Sequence, residues 1–241
     1  DNNILGLDLK AAINQTINFL SDDEVRLAMT GVHIVGSGDI SFEATNAHIL
    51  SVVTKQYDGV ELDYIETSKT LRGIGRLIGK SNVEVQFGRE GDWTIYEIDN
   101  TTIYSRSYDA TFPNIDAVIP EGSSYNLIVN RKELINKLKL AKVFADETTN
   151  AVEFNFSENM CIKAKDIDHG RAGQAEMEYD SKSEIPENGI KVGFSEKYLQ
   201  MLLNNIDDEE VVLEVYREDR PVIIRSEDIL MLIMPIIIRN G

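Results

Sequence analysis

Four short amphipathic segments recur at nearly even intervals along this chain, and their spacing limits the folds that it can adopt. The segments occupy residues 9–20, 68–80, 130–142 and 195–206. Their first residues are 59, 62 and 65 positions apart. Within each segment the apolar residues recur every three or four positions, which predicts a helix. The stretches between them alternate polar with apolar residues, which predicts strands. The sequence therefore predicts one unit, a strand, a helix and three strands, repeated four times.

Short alternating runs predict the strands of each unit. These runs lie at residues 32–35, 39–44, 49–53, 83–87, 93–98, 102–108, 125–129, 152–156, 160–164, 172–179, 190–194, 211–216, 221–225 and 229–237. Gly36-Ser37-Gly38 and Thr45-Asn46-Ala47 predict turns between the first three strands. Asn130 and Ser195 are expected to cap the third and fourth helices.

The spacing divides the chain into two similar halves. At 241 residues the chain is long enough for two domains of about 120 residues, each with its own core. Residues 111–122 hold two prolines and a glycine and are expected to join the halves. We expect domains at 1–121 and 122–241, of the α+β class, with helices on one face of a curved sheet.

Charge is divided unevenly between the helices and the rest of the chain. The net charge is −17, from 24 basic and 41 acidic residues. The four segments hold eleven of the 24 basic residues, but only Glu133 and Glu196 of the 41 acidic ones. Side chains of one sign gathered on one surface concentrate the electric field there. We therefore expect the helices to face a polyanion and the other surfaces to repel it.

The second and third segments are the most basic. Lys69, Arg72, Arg76 and Lys80 are spaced by three, four and four residues, which places them on one helical stripe. The third segment spreads its basic residues more broadly, at Arg131, Lys132, Lys137, Lys139 and Lys142. Such side chains bind phosphates without reading bases. The alternative is that these cations only solvate the outer face of each helix.

Other features of the sequence indicate a cytoplasmic protein without catalytic chemistry. No apolar run reaches the roughly 18 residues of a membrane-spanning helix, and residues 1–11 lack a secretory leader pattern. The lone Cys161 fits a reducing compartment. His33, His48 and His169 do not have metal-ligand spacing, so we expect no metal and no cofactor.

One acidic loop is an alternative candidate site. Asp166-Ile167-Asp168-His169 could supply two carboxylates for a metal-dependent nuclease or phosphoesterase. Gly170 follows the loop and predicted strands flank it, so a solvated hairpin turn is the favoured interpretation. The acidic run 207–210 is interpreted in the same way, as a charged turn after a helix.

Three separated motifs resemble the bacterial DNA polymerase β sliding clamp. Residues 24–31 (EVRLAMTG) and 42–50 (FEATNAHIL) resemble part of its middle domain. Residues 111–120 (TFPNIDAVIP) resemble the segment that joins the middle and last domains, and residues 232–236 (LIMPI) resemble its terminal strand. The resemblance covers essentially the whole chain. It implies a ring of six similar domains, each a β-α-β-β-β unit repeated twice, with helices lining a hole around duplex DNA.

The resemblance implies a noncatalytic, nucleoid-associated protein that tethers the replicative polymerase for processive DNA synthesis. The implied DNA-facing residues are Lys10, Lys69, Arg72, Arg76, Lys80, Arg131, Lys132, Lys137, Lys139 and Lys197. DNA contact would be independent of base sequence. An adaptor of clamp fold that binds peptides but does not close on DNA is the alternative.

The resemblance also implies one pocket for short linear motifs of polymerase, clamp loader and repair proteins. Its residues would be Met29, Thr45, Ala47, His48, Leu50, Pro120, Leu232, Met234, Pro235 and Ile236. For Leu232 and Ile236 the alternative is plain core. Asn46, Ala47 and Ile49 replace an acid, a glycine and an arginine that the family usually has, so we expect a different peptide specificity.

Ring closure is implied to involve an apolar pair, Val143 and Phe144, at the end of the third helix. The alternative is that this pair belongs to the core. Bacterial clamps have three domains in each chain and close as dimers, whereas this sequence predicts two. The resemblance therefore leaves two assemblies open, a dimer if a first domain precedes Asp1 and a trimer if it does not.

Overall fold

The computed structural model describes residues 2–80, 83–122 and 124–238. The chain divides into two compact units, Asp1–Asn114 and Ile115–Gly241. The sequence placed the boundary seven residues later, between Glu121 and Gly122. Ile115 is buried and groups with the second unit, where its carbonyl accepts hydrogen bonds from the amides of Val118 and Ile119 at 3.0 and 3.3 Å.

The first unit contains two helices and six strands in its described residues. In order they are β1 (Asn2–Leu5), α1 (Gly6–Thr16), β2 (Gly31–Thr45), β3 (Ile49–Thr67), α2 (Ser68–Ile78), β4 (Glu84–Glu90), β5 (Trp93–Ile98) and β6 (Thr101–Arg106). Short 3₁₀ helices follow α1 at Ile17–Phe19 and Glu24–Thr30. β1, β4, β5 and β6 form an antiparallel sheet in that order, and β2 pairs with β3 as a long hairpin.

The second unit has two helices and nine strands in the part of the chain that the structure describes. In order they are β7 (Tyr125–Asn130), α3 (Arg131–Lys142), β8 (Ala151–Phe156), β9 (Met160–Asp166), β10 (Arg171–Met177), β11 (Asp180–Ser181), β12 (Ile190–Ser195), α4 (Glu196–Asn204), β13 (Glu210–Val215), β14 (Val222–Ser226) and β15 (Ile229–Ile233). One sheet has the order β10-β9-β8-β12, and a second has the order β11-β7-β13-β14-β15.

The four helices confirm the periodicity of the sequence. The side chain of Thr67 caps α2 by accepting a hydrogen bond from the amide of Thr70, and that of Asn130 caps α3 in the same way. Ser195 precedes α4 as predicted, but its side chain makes no capping bond. α2 ends at Ile78 because Gly79 takes a positive φ of 60°, which L side chains rarely adopt.

The β2–β3 hairpin differs from the prediction. β2 continues through Gly36-Ser37-Gly38, so the predicted turn is wrong. The strand register shifts between Gly38 and Ile40, and Gly38 has φ of 100°, which the bulge accommodates. β3 runs unbroken to Thr67, so two strands, rather than three, follow α1 before α2 begins. The turn at 45–47 is confirmed, because the Asn46 side chain accepts hydrogen bonds from the backbone amides of His48 and Ile49, at 3.0 and 3.1 Å.

The core of each unit lies between its helices and the inner faces of its sheets. α1 contacts α2, and α3 contacts α4. Leu71 and Ile74 of α2, and Leu134 and Leu138 of α3, are fully buried. Burying an aliphatic side chain of this size contributes about 1.5–3 kcal/mol to folding. Among the described residues, no helix combines the length and apolar character needed to cross a membrane.

Candidate functional site

α2 presents a basic stripe on its solvent side. Lys69, Arg72 and Arg76 are exposed, whereas the apolar residues on the opposite side of the helix are buried. The helix contains no acidic residue. Lys80 is also exposed, but it lies beyond the end of α2 and is not part of its stripe.

Two glycines of α2, Gly73 and Gly75, leave the helix backbone beside this stripe without side-chain cover. A Cβ atom added at Gly73 or Gly75 would meet nothing within 4 Å, so packing does not require glycine at either position. Glycine inside a helix costs about 1 kcal/mol relative to alanine. The helix backbone is therefore open to close approach between Arg72 and Arg76, at a cost in intrinsic stability.

A buried carboxylate holds the start of α2. Glu66 is completely buried, and its oxygens accept hydrogen bonds from the Ser105 hydroxyl and the Thr67 amide, both at 2.7 Å, and from the Tyr96 hydroxyl at 3.1 Å. Burial raises the pKa of Tyr96 well above its usual value, so this hydroxyl stays protonated and donates to Glu66. The network fixes the residue before the N-cap Thr67 and so orients the basic helix.

The cations of α3 are less uniform. Lys132 and Lys139 are exposed. Lys137 is half-buried, with its ammonium 3.6 Å from a carboxylate oxygen of Glu133. The ammonium of Lys142 lies 3.2 Å from the buried carboxylate of Glu196 at the start of α4, so it links the two helices. In α4, Lys197 is exposed, and its ammonium lies 6.0 Å from the ring centre of Tyr198.

Two cations of the predicted DNA-facing set bind backbone carbonyls instead of lying free. Lys10 of α1 donates to the carbonyl of Gly79, just past the end of α2. Arg131 of α3 donates to the carbonyls of Leu203 at 3.1 Å, Asp207 at 3.4 Å and Asp208 at 2.6 Å, around and beyond the end of α4. Cations at helix C-termini satisfy the carbonyls left open there. The sequence carried no sign of these partners, which are about 70 residues away.

The β2–β3 turn holds part of the predicted peptide pocket. Ala47 and His48 are exposed, Met29 is half-buried, and Thr45 and Leu50 are buried. The Thr45 hydroxyl donates to the Ile49 carbonyl at 2.7 Å and accepts from the Ala47 amide at 3.1 Å. Ala47 has φ of 74°, a backbone conformation that favours glycine. Ala47 therefore occupies a glycine-type position.

The remaining pocket residues lie in the second unit. Leu232 is buried in β15, while Pro120, Met234, Pro235 and Ile236 are half-buried. The strand predicted at 229–237 is shorter in the structure, where β15 ends at Ile233. Proline has no amide hydrogen to donate to a strand ladder.

After β15 the backbone forms a hydrogen bond with β12. The amide of Ile236 donates to the Gly193 carbonyl at 2.8 Å, and a Cβ atom at Gly193 would lie 2.5 Å from the Ile236 carbonyl. This close approach therefore requires glycine at position 193. Within the same unit, Pro120 also lines a shallow pocket of about 510 Å³ together with Tyr216, Arg217 and Arg220.

Val143 and Phe144 lie at the surface and not in the core. They are 62% and 37% exposed, and the neighbouring Leu140 is 61% exposed. The Phe144 ring packs over Gly173 of β10, where a Cβ atom would come within 2.3 Å of the ring. β10 is the first strand of its sheet. An apolar patch therefore lies beside a sheet edge in the second unit.

The acidic loop after β9 is a hairpin turn. Asp166 is buried, and its carboxylate accepts hydrogen bonds from Arg171 at 2.6 Å and from His169 at 2.9 Å. The Arg171 bond keeps the pKa of Asp166 below its usual value. Asp166 is therefore committed to this turn, while Asp168 is exposed. The described residues contain no group of three or more His, Cys, Asp or Glu placed to bind a metal ion.

Sequence patterns did not reveal one further cluster, around His33 of β2. Its Nδ1 lies 2.7 Å from Glu43, and its Nε2 lies 3.0 Å from Asp63 of β3. The ring stacks on Phe112, with ring centres 4.7 Å apart. Burial lowers the pKa of His33, but the hydrogen bonds to the two carboxylates outweigh it, so the pKa is raised overall. Because its partners are distant in sequence, no local signal could identify this cluster.

Residues 116–237 match the family model for the C-terminal domain of the DNA polymerase III beta subunit. The chain belongs to the DNA polymerase III beta subunit family. This confirms the resemblance that the motifs indicated.

Individual members of the DNA polymerase III beta subunit family agree. The beta sliding clamp of Synechocystis is 28% identical over 226 residues, which cover 84% of this chain and 56% of that protein. The beta sliding clamp of Staphylococcus aureus is 23% identical over 234 residues, which cover 95% of this chain and 62% of that protein. The chain thus spans about three fifths of the length of these relatives.

Solved structures of family members confirm the α+β clamp fold. A DNA polymerase sliding clamp from Pseudomonas aeruginosa superposes with a TM-score of 0.91 at 18% identity, covering 98% of this chain and 66% of the other. The DNA polymerase III beta subunit of Thermotoga maritima superposes with a TM-score of 0.90 at 22% identity, covering 99% of this chain and 65% of the other.

Proposed function

We propose that this chain acts as a noncatalytic sliding clamp, which encircles duplex DNA and tethers a replicative polymerase and other proteins to it. The observation that carries the proposal is the stripe of Lys69, Arg72 and Arg76 on α2, in a chain with net charge −17. Membership of the DNA polymerase III beta subunit family supports it.

The chemistry of the stripe suits sliding. Lysine and arginine on a regular helix bind phosphates of any base sequence, so the free energy changes little as the duplex moves past them. The acidic excess elsewhere repels the duplex from other surfaces. Lys132, Lys139 and Lys197 are exposed and extend the proposed DNA-facing set. Lys10 and Arg131 would act mainly as helix caps, because their charged groups already donate hydrogen bonds to backbone carbonyls.

Partner proteins would bind through short linear motifs at the pocket that the family resemblance assigns. Of the residues that the resemblance assigns to it, Ala47 and His48 keep accessible surface in the first unit, and Met234, Pro235 and Ile236 do so in the second. Buried Thr45 and Leu50 would shape the turn that carries Ala47 and His48. Methionine adapts to different apolar partners, which suits a site that takes several peptides.

Ring closure would use the apolar patch of Leu140, Val143 and Phe144. Burial of such a patch against another copy of the chain supplies the hydrophobic core of an interface. An interface between two different surfaces of the same chain generates a ring when the rotation closes. The family resemblance allows a ring of two or of three chains.

Charge reversal tests the proposal. R72E/R76E should reduce the processivity of a polymerase loaded with this clamp by about tenfold or more. The protein should stay folded, with a small fall in the thermal unfolding midpoint because Arg76 lies in the last turn of α2. K182E/K191E, which makes the same charge change at exposed positions outside the helices, is the matched control. Equal losses in the two variants would show that only net charge matters, and the proposed DNA-facing surface would be wrong.

A further inference from the structure

The outer face of the β1-β4-β5-β6 sheet carries an exposed aromatic patch. Trp93 of β5 is 45% exposed, and Tyr104 of β6 is 63% exposed. Directly opposite residues of neighbouring strands share a face of the sheet. Ile95 lies opposite Tyr104 on one side and opposite Gly88 on the other, two residues along β5 from Trp93. Trp93, Ile95 and Tyr104 therefore form one continuous apolar surface, which we call the aromatic patch.

The other face of this sheet is the core of the unit. Val85, Tyr96 and Ile98, which alternate with the outward residues, are buried. The aromatic patch is therefore additional to the side chains that stabilise the fold. Large exposed aromatic side chains grouped on one surface are a common mark of protein interaction sites.

Acidic side chains border the aromatic patch. Glu90 lies directly opposite Trp93, and Glu97 follows Ile95 by two residues on the same face. Glu84 is a third exposed carboxylate on this face of β4. The basic residue here, Arg106, already has partners, since its guanidinium carbon lies 5.5 Å from the Trp93 ring centre and a terminal nitrogen lies 3.6 Å from Asp92. The surface is apolar in the middle and negative at its border, so it disfavours nucleic acid.

Gly88 adds a steric feature to the aromatic patch. It contributes no side chain beside Ile95, so an incoming apolar side chain can reach the strand backbone there. Ile95 and Trp93 of β5 would border such a group, and Tyr104 lies on the far side of Ile95. The glutamates would lie within reach of cations at neighbouring positions of the same ligand. Apolar contact supplies affinity, and charge complementarity selects the partner.

We propose that the aromatic patch binds a short segment of a partner protein in which lysine or arginine residues flank apolar side chains. The site lies wholly within the first unit and shares no residue with the DNA-facing stripe or with the proposed peptide pocket. It would let the chain hold a second partner independently of the first.

Trp93 itself reports on the site, because it is the single tryptophan of the chain. The probe is a synthetic peptide of alternating lysine and leucine, titrated into the intact protein while tryptophan emission is recorded. We expect a saturable shift of emission to shorter wavelength as the indole leaves water. The matched peptide with glutamate in place of each lysine should give no shift. Equal shifts with both peptides would overturn the proposal.

Variants locate the binding. E90Q/E97Q should weaken binding of the lysine–leucine peptide by on the order of tenfold, as expected for the loss of two ion pairs. E24Q/E61Q removes two exposed carboxylates elsewhere in the same unit and should leave binding unchanged. Equal weakening in both would mean that the peptide reads only net charge and would overturn the assignment.

A second copy of this chain is the competing occupant. In that case the emission of Trp93 would shift with protein concentration before any peptide is added, and Y104A would abolish the shift. Such a result would overturn the proposed cationic partner. Emission that does not depend on protein concentration, together with weaker peptide binding by Y104A, supports it.

Discussion

The guanidinium of Arg131, at the first position of α3, donates a 3.1 Å hydrogen bond to the carbonyl of Leu203 near the end of α4. The first unit repeats this relationship, since Lys10 of α1 donates to the carbonyl of Gly79 after α2. In each unit a cation of the first helix caps the C-terminus of the second helix by donating to a backbone carbonyl. The two helices are thus held together by a polar contact as well as by their apolar faces.

Arg131→Ala should therefore destabilise the protein rather than weaken DNA binding. The contact with the Leu203 carbonyl is half-buried, whereas water can replace the donor at the exposed carbonyls of Asp207 and Asp208, so the loss should be about 1 kcal/mol, at the low end for such groups. We expect this loss in urea unfolding, with DNA retention close to that of the wild type. Lys132→Ala, at the adjacent exposed position, is the control and should show the reverse, unchanged stability with weaker retention.

The stability contributed by His33 should depend on pH. The pKa of His33 is raised above its unfolded value because hydrogen bonds to Glu43 and Asp63 outweigh burial. Its contribution is therefore fully present below the unfolded pKa and is lost as the pH rises through the higher folded pKa. The difference in unfolding free energy between wild type and His33→Gln should shrink from pH 6 to pH 8.5.

Ser41→Ala tests whether this effect is specific. Ser41 lies on the same hairpin, where its hydroxyl forms a 3.0 Å hydrogen bond with that of Thr54, and since neither hydroxyl ionises in this range, the loss of stability should not vary with pH. A difference between wild type and His33→Gln that stays constant over the same pH range would show that the imidazolium form does not hold the cluster.

These cases separate what the sequence could predict from what it could not. The helices and most strands follow from local periodicity, because apolar faces repeat with the geometry of the element. The continuation of β2 through Gly36 and Gly38 depends on its pairing with residues near Val60 on β3, which local glycine signals cannot show. The capping role of Arg131 depends on carbonyls more than 70 residues away. The sequence therefore predicted DNA contact for Lys10 and Arg131 without indicating that both donate hydrogen bonds to backbone carbonyls.

Ala47→Gly should stabilise the protein. Ala47 adopts φ of 74°, and the left-handed conformation costs an L residue about 1–2 kcal/mol relative to glycine. The greater freedom of glycine in the unfolded chain offsets part of this gain. We expect a net increase of roughly 0.5–1 kcal/mol in urea unfolding. Ala172→Gly, in β10 at an ordinary strand position, should be destabilising and so distinguishes the two effects.

Adding a methyl group at Gly73 or Gly75 of α2 tests whether DNA approaches the helix backbone there. Gly73→Ala and Gly75→Ala should each stabilise the helix by about 1 kcal/mol, since the added Cβ atom meets nothing within 4 Å. If the duplex approaches the helix closely, the same variants should weaken DNA retention while raising the unfolding midpoint. Retention equal to that of the wild type would show that the arginines hold DNA at a distance from the backbone.

The apolar patch at the end of α3 should control assembly. V143E/F144E places two charges among side chains that are 62% and 37% exposed, so the variant should sediment as a monomer at concentrations where the wild type associates. Phe144 also covers Gly173, so some loss of stability will accompany the change, and circular dichroism must show that the monomer is folded. Val25→Asp, at a residue 92% exposed in the first unit, should leave the mass unchanged. A folded double variant with the mass of the wild type would exclude this patch from ring closure, because an interface cannot tolerate two unpaired charges in its apolar centre.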